Sequence, residues 1–212
     1  MKVFVFGASS PTGKFLIPEL LEKGYLVTAL VRNPDSLTGN NHANLSIIKG
    51  DAFNPETYSG KLKGIDCVVS ILGAGKSTKP TQIYSKAGFL IIQEMKKNGV
   101  KKLVTVSSGG VQKDDPTIQK NFIYKTLGLW WLRHIYTDMK KWEQILSENI
   151  DIDWVCVRPT YLQNSPLTKT YRINETYSPV GGWKISRADL AHFISLQVES
   201  KKYIHKKPVI AQ

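Results

Sequence analysis

The segment Gly7-Ala8-Ser9-Ser10-Pro11-Thr12-Gly13 follows a short apolar run and opens a stretch with helical spacing. Residues of these types at this spacing suit one chemical task. A glycine lets the chain turn sharply out of a strand, and main-chain N–H groups at the helix start then point at an anion. The helix dipole strengthens the attraction. The expectation is a phosphate loop for a dinucleotide. Gly7 makes the turn, Ser9, Ser10, Pro11 and Thr12 line the anion, and Gly13 lets the helix pack close to the strand. The middle position of such a fingerprint is usually glycine, and here it is Ser10. Its Cβ crowds the phosphate, while its hydroxyl offers a hydrogen bond to a phosphate oxygen instead.

The end of the next apolar run separates two cofactors. An NAD site carries Asp or Glu about 20 residues after the glycines, to hold the ribose 2′-OH. This chain reads Val31-Arg32-Asn33-Pro34, with no carboxylate until Asp35. Arg32 offers a planar, bidentate donor for a 2′-phosphate, so NADP(H) is preferred over NAD(H). Asp51 and Ala52 fall where a third strand ends, beside the adenine or in the neighbouring loop. Leu72 and Gly73 close the fourth strand and allow close passage of a cofactor. Ser107 and Ser108 end the fifth, at the edge where a nicotinamide would lie.

Other chemistry finds little support. His42, His134, His192 and His205 are scattered without metal-ligand spacing, so no metal site is expected. Neither a nucleophile elbow nor a Walker-type loop is present. Cys67 and Cys156 sit in apolar runs and read as buried core thiols in a reducing compartment. The tract 121–136 (NFIYKTLGLWWLRHIY) is strongly aromatic. It suits a helix packed on the core, a wall for an aromatic substrate, or a subunit interface.

These residues need elements to position them, and the hydrophobic pattern supplies them in alternation. Strands are expected over 2–6, 25–31, 45–48, 66–72, 102–106 and 153–157, and helices over 11–23, 81–98 and 135–148. Repeated strand–helix–strand units imply an α/β fold, a Rossmann-type doubly wound parallel sheet with helices on both faces. After Pro159 the pattern changes. Short β-like pieces over 170–173 and 208–210 flank a helix over 187–198, capped by Ser186 with Asp189 three residues on. Residues 160–212 are thus expected as a small elaboration over the cofactor edge of a single domain spanning 1–212.

Length and composition agree with one soluble domain. Of 212 residues, 42% are hydrophobic, enough for a core and too many for a disordered chain. No apolar stretch approaches the roughly 20 residues of a membrane span, and the start is not a signal peptide, so a cytoplasmic protein is expected. Lys plus Arg is 29 against 17 for Asp plus Glu, giving +12. The excess is dispersed in pairs such as Lys96-Lys97, Lys101-Lys102, Lys140-Lys141, Lys201-Lys202 and Lys206-Lys207, so no nucleic-acid partner is expected. A positive field instead helps attract an anionic cofactor.

Four stretches together resemble a known group: VFVFGASSPTGK, LVTALVRNP, KLVTVSSGG, and IDIDWVCVRPTYLQNSPLTKTYRI with KISRADLAHFI. The chain is similar to the atypical short-chain dehydrogenases, in the NAD(P)H-binding, NmrA-like group that includes biliverdin-IX-beta reductase (flavin reductase). The resemblance covers essentially the whole chain. It implies a reduced nicotinamide near Ser108 and near Pro159, Thr160, Tyr161 and Leu162. It also implies Ser108 beside the substrate. The group's flavin reductase has a histidine at the position of Tyr161, so that part does not carry over, although Tyr161 can hydrogen-bond or stack on an aromatic substrate.

The wider short-chain family uses Tyr-x-x-x-Lys on a helix, the lysine lowering the tyrosine pKa. Tyr136 and Lys140 have that spacing. A packing or solvated role stands beside the catalytic one. The expected function is an NADPH-dependent reductase passing hydride to a small flat acceptor, such as a flavin, quinone or tetrapyrrole. The alternative is a non-catalytic NADP(H) sensor of NmrA type. The oligomeric state is open between monomer and homodimer.

Overall fold

The computed structural model describes residues 1–37, 41–75, 77–120 and 124–212. Six strands carry the frame: β1 (Lys2–Phe6), β2 (Leu26–Val31), β3 (Leu45–Lys49), β4 (Cys67–Ser70), β5 (Lys102–Val106) and β6 (Asp153–Pro159). Four helices of ten residues or more cover them: α1 (Gly13–Glu22), α2 (Ser85–Lys97), α5 (Arg133–Glu148) and α6 (Arg187–Gln197). Two short helices, α3 (Pro116–Lys120) and α4 (Leu129–Trp131), lie between β5 and α5. Four short strands complete the chain: β7 (Tyr161–Gln163), β8 (Arg172–Asn174), β9 (Lys184–Ser186) and β10 (Val209–Ala211).

The main sheet runs β3-β2-β1-β4-β5-β6-β10-β8. Every pair is parallel except β10 with β8. The sequence-based α/β doubly wound fold is correct. Chain order reverses between β1 and β4, and that switch point opens a crevice at the strands' carboxyl ends. A strand covered on both faces must be apolar at every position. Accordingly Val3, Phe4, Val5 and Phe6 are all fully buried. Val3 and Val5 join a core with Leu16, Leu20, Leu190 and Ile194, under α1 and α6. Phe4 and Phe6 join a second core with Ile91, Met95, Met139 and Trp142, under α2 and α5.

Element ends shift for physical reasons. The helix expected over 81–98 begins at Ser85 because its cap comes from elsewhere in the chain. The Asp138 carboxylate of α5 accepts hydrogen bonds from Tyr84 N at 2.9 Å, from Ser85 N at 3.4 Å and from Ser85 Oγ. Asp138 is buried, so these donors satisfy its charge while it satisfies theirs. The strand expected over 153–157 continues to Pro159, since Val209 and Ile210 of β10 pair with Arg158 and Pro159. The sequence pattern missed the parallel pair β7–β9, whose strands have three residues each and show no alternation. The cap on α6 is as expected, with Ser186 Oγ accepting from Asp189 N at 2.8 Å.

Both cysteines are buried free thiols, and burial pushes each up to about 12. Among the described residues, no helix is long and apolar enough to cross a membrane.

Candidate functional site

The phosphate loop lies in the switch-point crevice. Gly7 has φ +84°, and a Cβ there would stand 2.7 Å from Ile71 O just after β4, so the turn and the close approach both require glycine. The strand bonds reach the loop, Ile71 N donating to Phe6 O at 3.0 Å. A Cβ at Gly13 would meet Ala8 O at 2.2 Å, which holds the start of α1 hard against the loop. Ser10 N donates to Gly7 O at 2.9 Å and closes the turn. Ser10 Oγ accepts from Gly13 N, the first residue of α1, at 3.0 Å and ties the loop to the helix start. Its hydroxyl hydrogen stays available to a phosphate oxygen. Ser9 and Pro11 are exposed, and Thr12 is buried. Among the described residues, the Ser9 and Thr12 N–H groups meet no acceptor. Two unsatisfied N–H groups at a helix start fit an anion.

Arg32 follows the last residue of β2 and is exposed. Among the described residues it forms no ion pair or hydrogen bond. The nearest acidic residue in sequence, Asp35, sits in the turn behind it, where its N–H donates to Asn33 Oδ1 at 3.1 Å. Asp51 is half-buried, and its Oδ1 accepts from Phe53 N at 2.9 Å, so one carboxylate oxygen stabilises its own loop. Ala52 is corrected in part. Its side chain is buried in the core and its carbonyl accepts from Tyr58 OH at 3.2 Å, so the methyl does not line a cofactor groove. Leu72 is half-buried and Gly73 exposed, immediately beyond β4.

The other end of the edge is built from distant residues. Ser108 is half-buried and extended, and its Oγ accepts from Gly110 N at 3.2 Å. A Cβ at Gly109 would lie 3.7 Å from Pro159 O, so the turn after β5 abuts the end of β6. Thr160 N reaches Ile210 O at 3.2 Å and fixes the exit from β6. Ser108, Pro159 and Thr160 are thus neighbours. Tyr161 heads β7 and is 68% exposed, so it stands at the mouth of this edge rather than inside it.

Ser107 differs from expectation. Its hydroxyl is buried and donates to Glu143 Oε1 at 2.7 Å, which turns it into the protein and away from a ligand. Glu143 also accepts from Arg158 Nε at 2.9 Å and Arg158 Nη2 at 2.5 Å. Arg158 Nη1 donates to Gln112 Oε1 at 3.1 Å. This ion pair, 8% and 6% exposed, escaped the sequence reading. A signal was present: arginine in the strand DWVCVRP, buried on both faces, requires a buried partner.

Tyr136 and Lys140 share a helix but not an environment. Tyr136 is buried in the core beneath α5, while Lys140 is exposed. The structure does not assemble them as a catalytic pair. The aromatic tract is not one helix either. Its residues 121–123 lie outside the described residues, and a π-helical turn (Tyr124–Gly128) precedes α4. Leu129 and Leu132 pack on the core, whereas Trp130 and Trp131 are exposed, with Arg133 stacked 4.6 Å over the Trp130 ring.

The C-terminal elaboration is pinned over this end. Tyr177 OH donates to Asp114 Oδ2 at 3.0 Å, and Ser178 N to Asp115 Oδ2 at 2.6 Å. The Asp189 carboxylate accepts five hydrogen bonds, from Thr168 N, Thr168 Oγ1, Lys169 N, Ser186 Oγ and Gln212 Nε2. Burial pushes the Asp189 carboxyl up, but these donors outweigh it and hold it below 3.8. Among the described residues, no three His, Cys, Asp or Glu side chains gather as a metal site.

Known proteins share this architecture. An oxidoreductase from Lactococcus lactis superposes with a TM-score of 0.84 at 21% identity, covering 100% of this chain and 91% of that one. A wide-type short-chain dehydrogenase/reductase from Veillonella parvula, in complex with NADP, superposes at 0.77 with 14% identity, covering 100% of this chain and 94% of that one. At such identities the likeness is one of fold. The photosystem II assembly factor Ycf39 of Synechocystis is 28% identical over 109 residues, which is 50% of this chain and 33% of that protein. The chain spans 33 to 61% of the length of the curated relatives it matches. The NAD(P)H-binding family model matches residues 7–201, from the first glycine of the phosphate loop to beyond α6, and the chain belongs to that family.

Proposed function

We propose that the protein is an NADPH-dependent reductase that passes hydride to a small flat acceptor, such as a flavin, quinone or tetrapyrrole. The observation that carries this reading is Arg32, exposed and without a partner among the described residues, on the same sheet edge as the phosphate loop. A reduced nicotinamide supplies the hydride when bound. The chain's own residues do the rest. N–H groups at Ser9 and Thr12 and the Ser10 hydroxyl bind pyrophosphate. Arg32 binds the 2′-phosphate, and Asp51 borders the adenine. Leu72 and Gly73 flank the cofactor's path, and Pro159 and Thr160 form the wall at the nicotinamide. Ser108, whose oxygen is held by Gly110 N, keeps its hydroxyl hydrogen for the acceptor. Tyr161 at the mouth offers a ring for stacking. A redox-active flat acceptor needs orientation more than a strong acid, so burial of Tyr136 is compatible with this reading.

The test follows absorbance at the nicotinamide band with NADPH or NADH and FMN or a quinone. Arg32→Asp is expected to weaken NADPH binding about 10–100-fold more than NADH binding, the worth of a charge-assisted contact. Equal losses for both would refute the 2′-phosphate role. A second reading, a non-catalytic NADP(H) sensor, is favoured by one observation: Tyr136 and Lys140 do not assemble as an acid pair. Tight NADPH binding with no turnover of any acceptor selects it.

A further inference from the structure

The ion pair Glu143–Arg158 is buried, and taking two charges out of water is costly. Its side chains are 6% and 8% exposed and sit on α5 and on β6. Well-packed apolar residues at such positions are often as stable or more so, so stability alone does not account for the pair. What it does have is reach. Glu143 Oε1 holds Ser107 Oγ at 2.7 Å, one residue before Ser108. Arg158 precedes Pro159 and Thr160, and its Nη1 holds Gln112 Oε1 at 3.1 Å, at the far end of the turn that Ser108 begins. Both arms of the guanidinium fork are therefore used, with the carboxylate on one side and the turn on the other. Lysine has no such fork.

We infer that Glu143 and Arg158 are positioning residues that lock the Ser108–Gln112 turn to the exit from β6, fixing the width of the acceptor end of the site. The catalytic part of this inference rests on the reductase reading above; the mechanical part does not. Gln112 links back to Asp114 through Nε2 at 2.7 Å, and Asp114 holds Tyr177, so the same network also anchors the C-terminal elaboration. Among the described residues, no hydrogen bond or ion pair joins the network to the phosphate loop or Arg32. It sets geometry at one end and leaves affinity at the other untouched.

The test compares wild type with the single variants Glu143→Gln and Arg158→Lys and the charge-free double variant Glu143→Met/Arg158→Met. The double variant keeps the measurement possible if a single variant fails to fold. Hydrogen exchange by mass spectrometry is read on the free protein over residues 107–112 and 159–163, with 7–13 as internal reference. Exchange in the first two stretches is expected to rise about tenfold or more in the double variant, while 7–13 stays at the wild-type rate. With NADPH and an acceptor, kcat is expected to fall about 100-fold while KM for NADPH stays within about threefold, and Arg158→Lys is expected not to rescue kcat. Wild-type exchange rates in the double variant would overturn the inference, as would loosened exchange with unchanged kcat. A wild-type protein that turns over no acceptor sinks the reductase reading alone, because the exchange result still decides whether the pair locks the turn.

Discussion

The two ends of one sheet edge are built on opposite principles. The phosphate end is local: seven consecutive residues, two glycines and a serine whose hydroxyl oxygen accepts from Gly13 N three positions on, set against the end of one neighbouring strand. Its working groups are main-chain N–H donors. The acceptor end is non-local. Ser107 meets Glu143 36 residues away, Arg158 meets Gln112 46 away, and Tyr177 meets Asp114 63 away. Its working groups are held by buried charge. The difference teaches that, under the proposed function, cofactor affinity is a property of backbone shape and geometry around the acceptor a property of long-range electrostatics. Substitutions at the two ends should therefore fail differently.

The largest effect is expected at the acceptor end. Arg158→Met alone leaves Glu143 buried with Lys207 Nζ 3.9 Å away as its remaining cation. A broken buried pair costs about 3–5 kcal/mol, so urea denaturation should show a loss of that size. Adding Glu143→Met should recover most of it. No recovery would mean that the carboxylate is tolerated alone, and the contrast between the ends would weaken.

At the phosphate end, Gly7→Ala should cost about 2 kcal/mol or more. The left-handed backbone alone accounts for about 1–2 kcal/mol, and the Cβ would then press on Ile71 O at 2.7 Å. Calorimetric titration should show NADPH binding lost along with stability. If the variant melts early yet binds normally, the loop is structural and its phosphate role falls.

This contrast also explains what the sequence disclosed. Gly7, Gly13 and the alternating strand and helix patterns are encoded within short windows, so the fold and the glycine turn that opens α1 were legible. The position of Arg32 followed from the end of β2 for the same reason. Ser107 was misplaced because its side of the strand depends on what α5 brings to it. The helix stripe containing Met139, Trp142 and Leu146 also hides the Glu143 carboxylate among apolar neighbours, and nothing in sequence says which strand it will meet. Tyr136 and Lys140 have the right spacing but differ in environment, one buried and the other exposed. Spacing defines a pair on a helix but not the direction in which the helix is turned.

Acid should loosen the acceptor end first. The Asp189 carboxyl is held below the usual carboxylate range when folded: burial pushes it up, but its hydrogen bonds from Ser186, Lys169 and Thr168 outweigh that. A depressed carboxyl adds stability above its unfolded value and loses it as pH falls through the folded value. The stability difference between wild type and Asp189→Asn should therefore shrink as pH drops from about 5 towards about 2. A difference that stays constant would show that the charge on Asp189 contributes nothing.

The smallest effect tests the division most finely. Ser10 has two tasks, accepting from Gly13 N at 3.0 Å and offering its hydrogen to a phosphate. Ser10→Ala removes both, and losing one such hydrogen bond costs about 1 kcal/mol. Ser10→Gly restores the residue usual at this fingerprint position. It gives up the same hydrogen bond but opens the approach to phosphate. If the hydroxyl binds phosphate, both variants weaken NADPH. If Cβ crowding dominates, Ser10→Gly binds NADPH more tightly than wild type while Ser10→Ala does not. Titration of the three proteins separates these outcomes. Neither substitution should alter hydrogen exchange at residues 107–112, because among the described residues no hydrogen bond joins that turn to the loop.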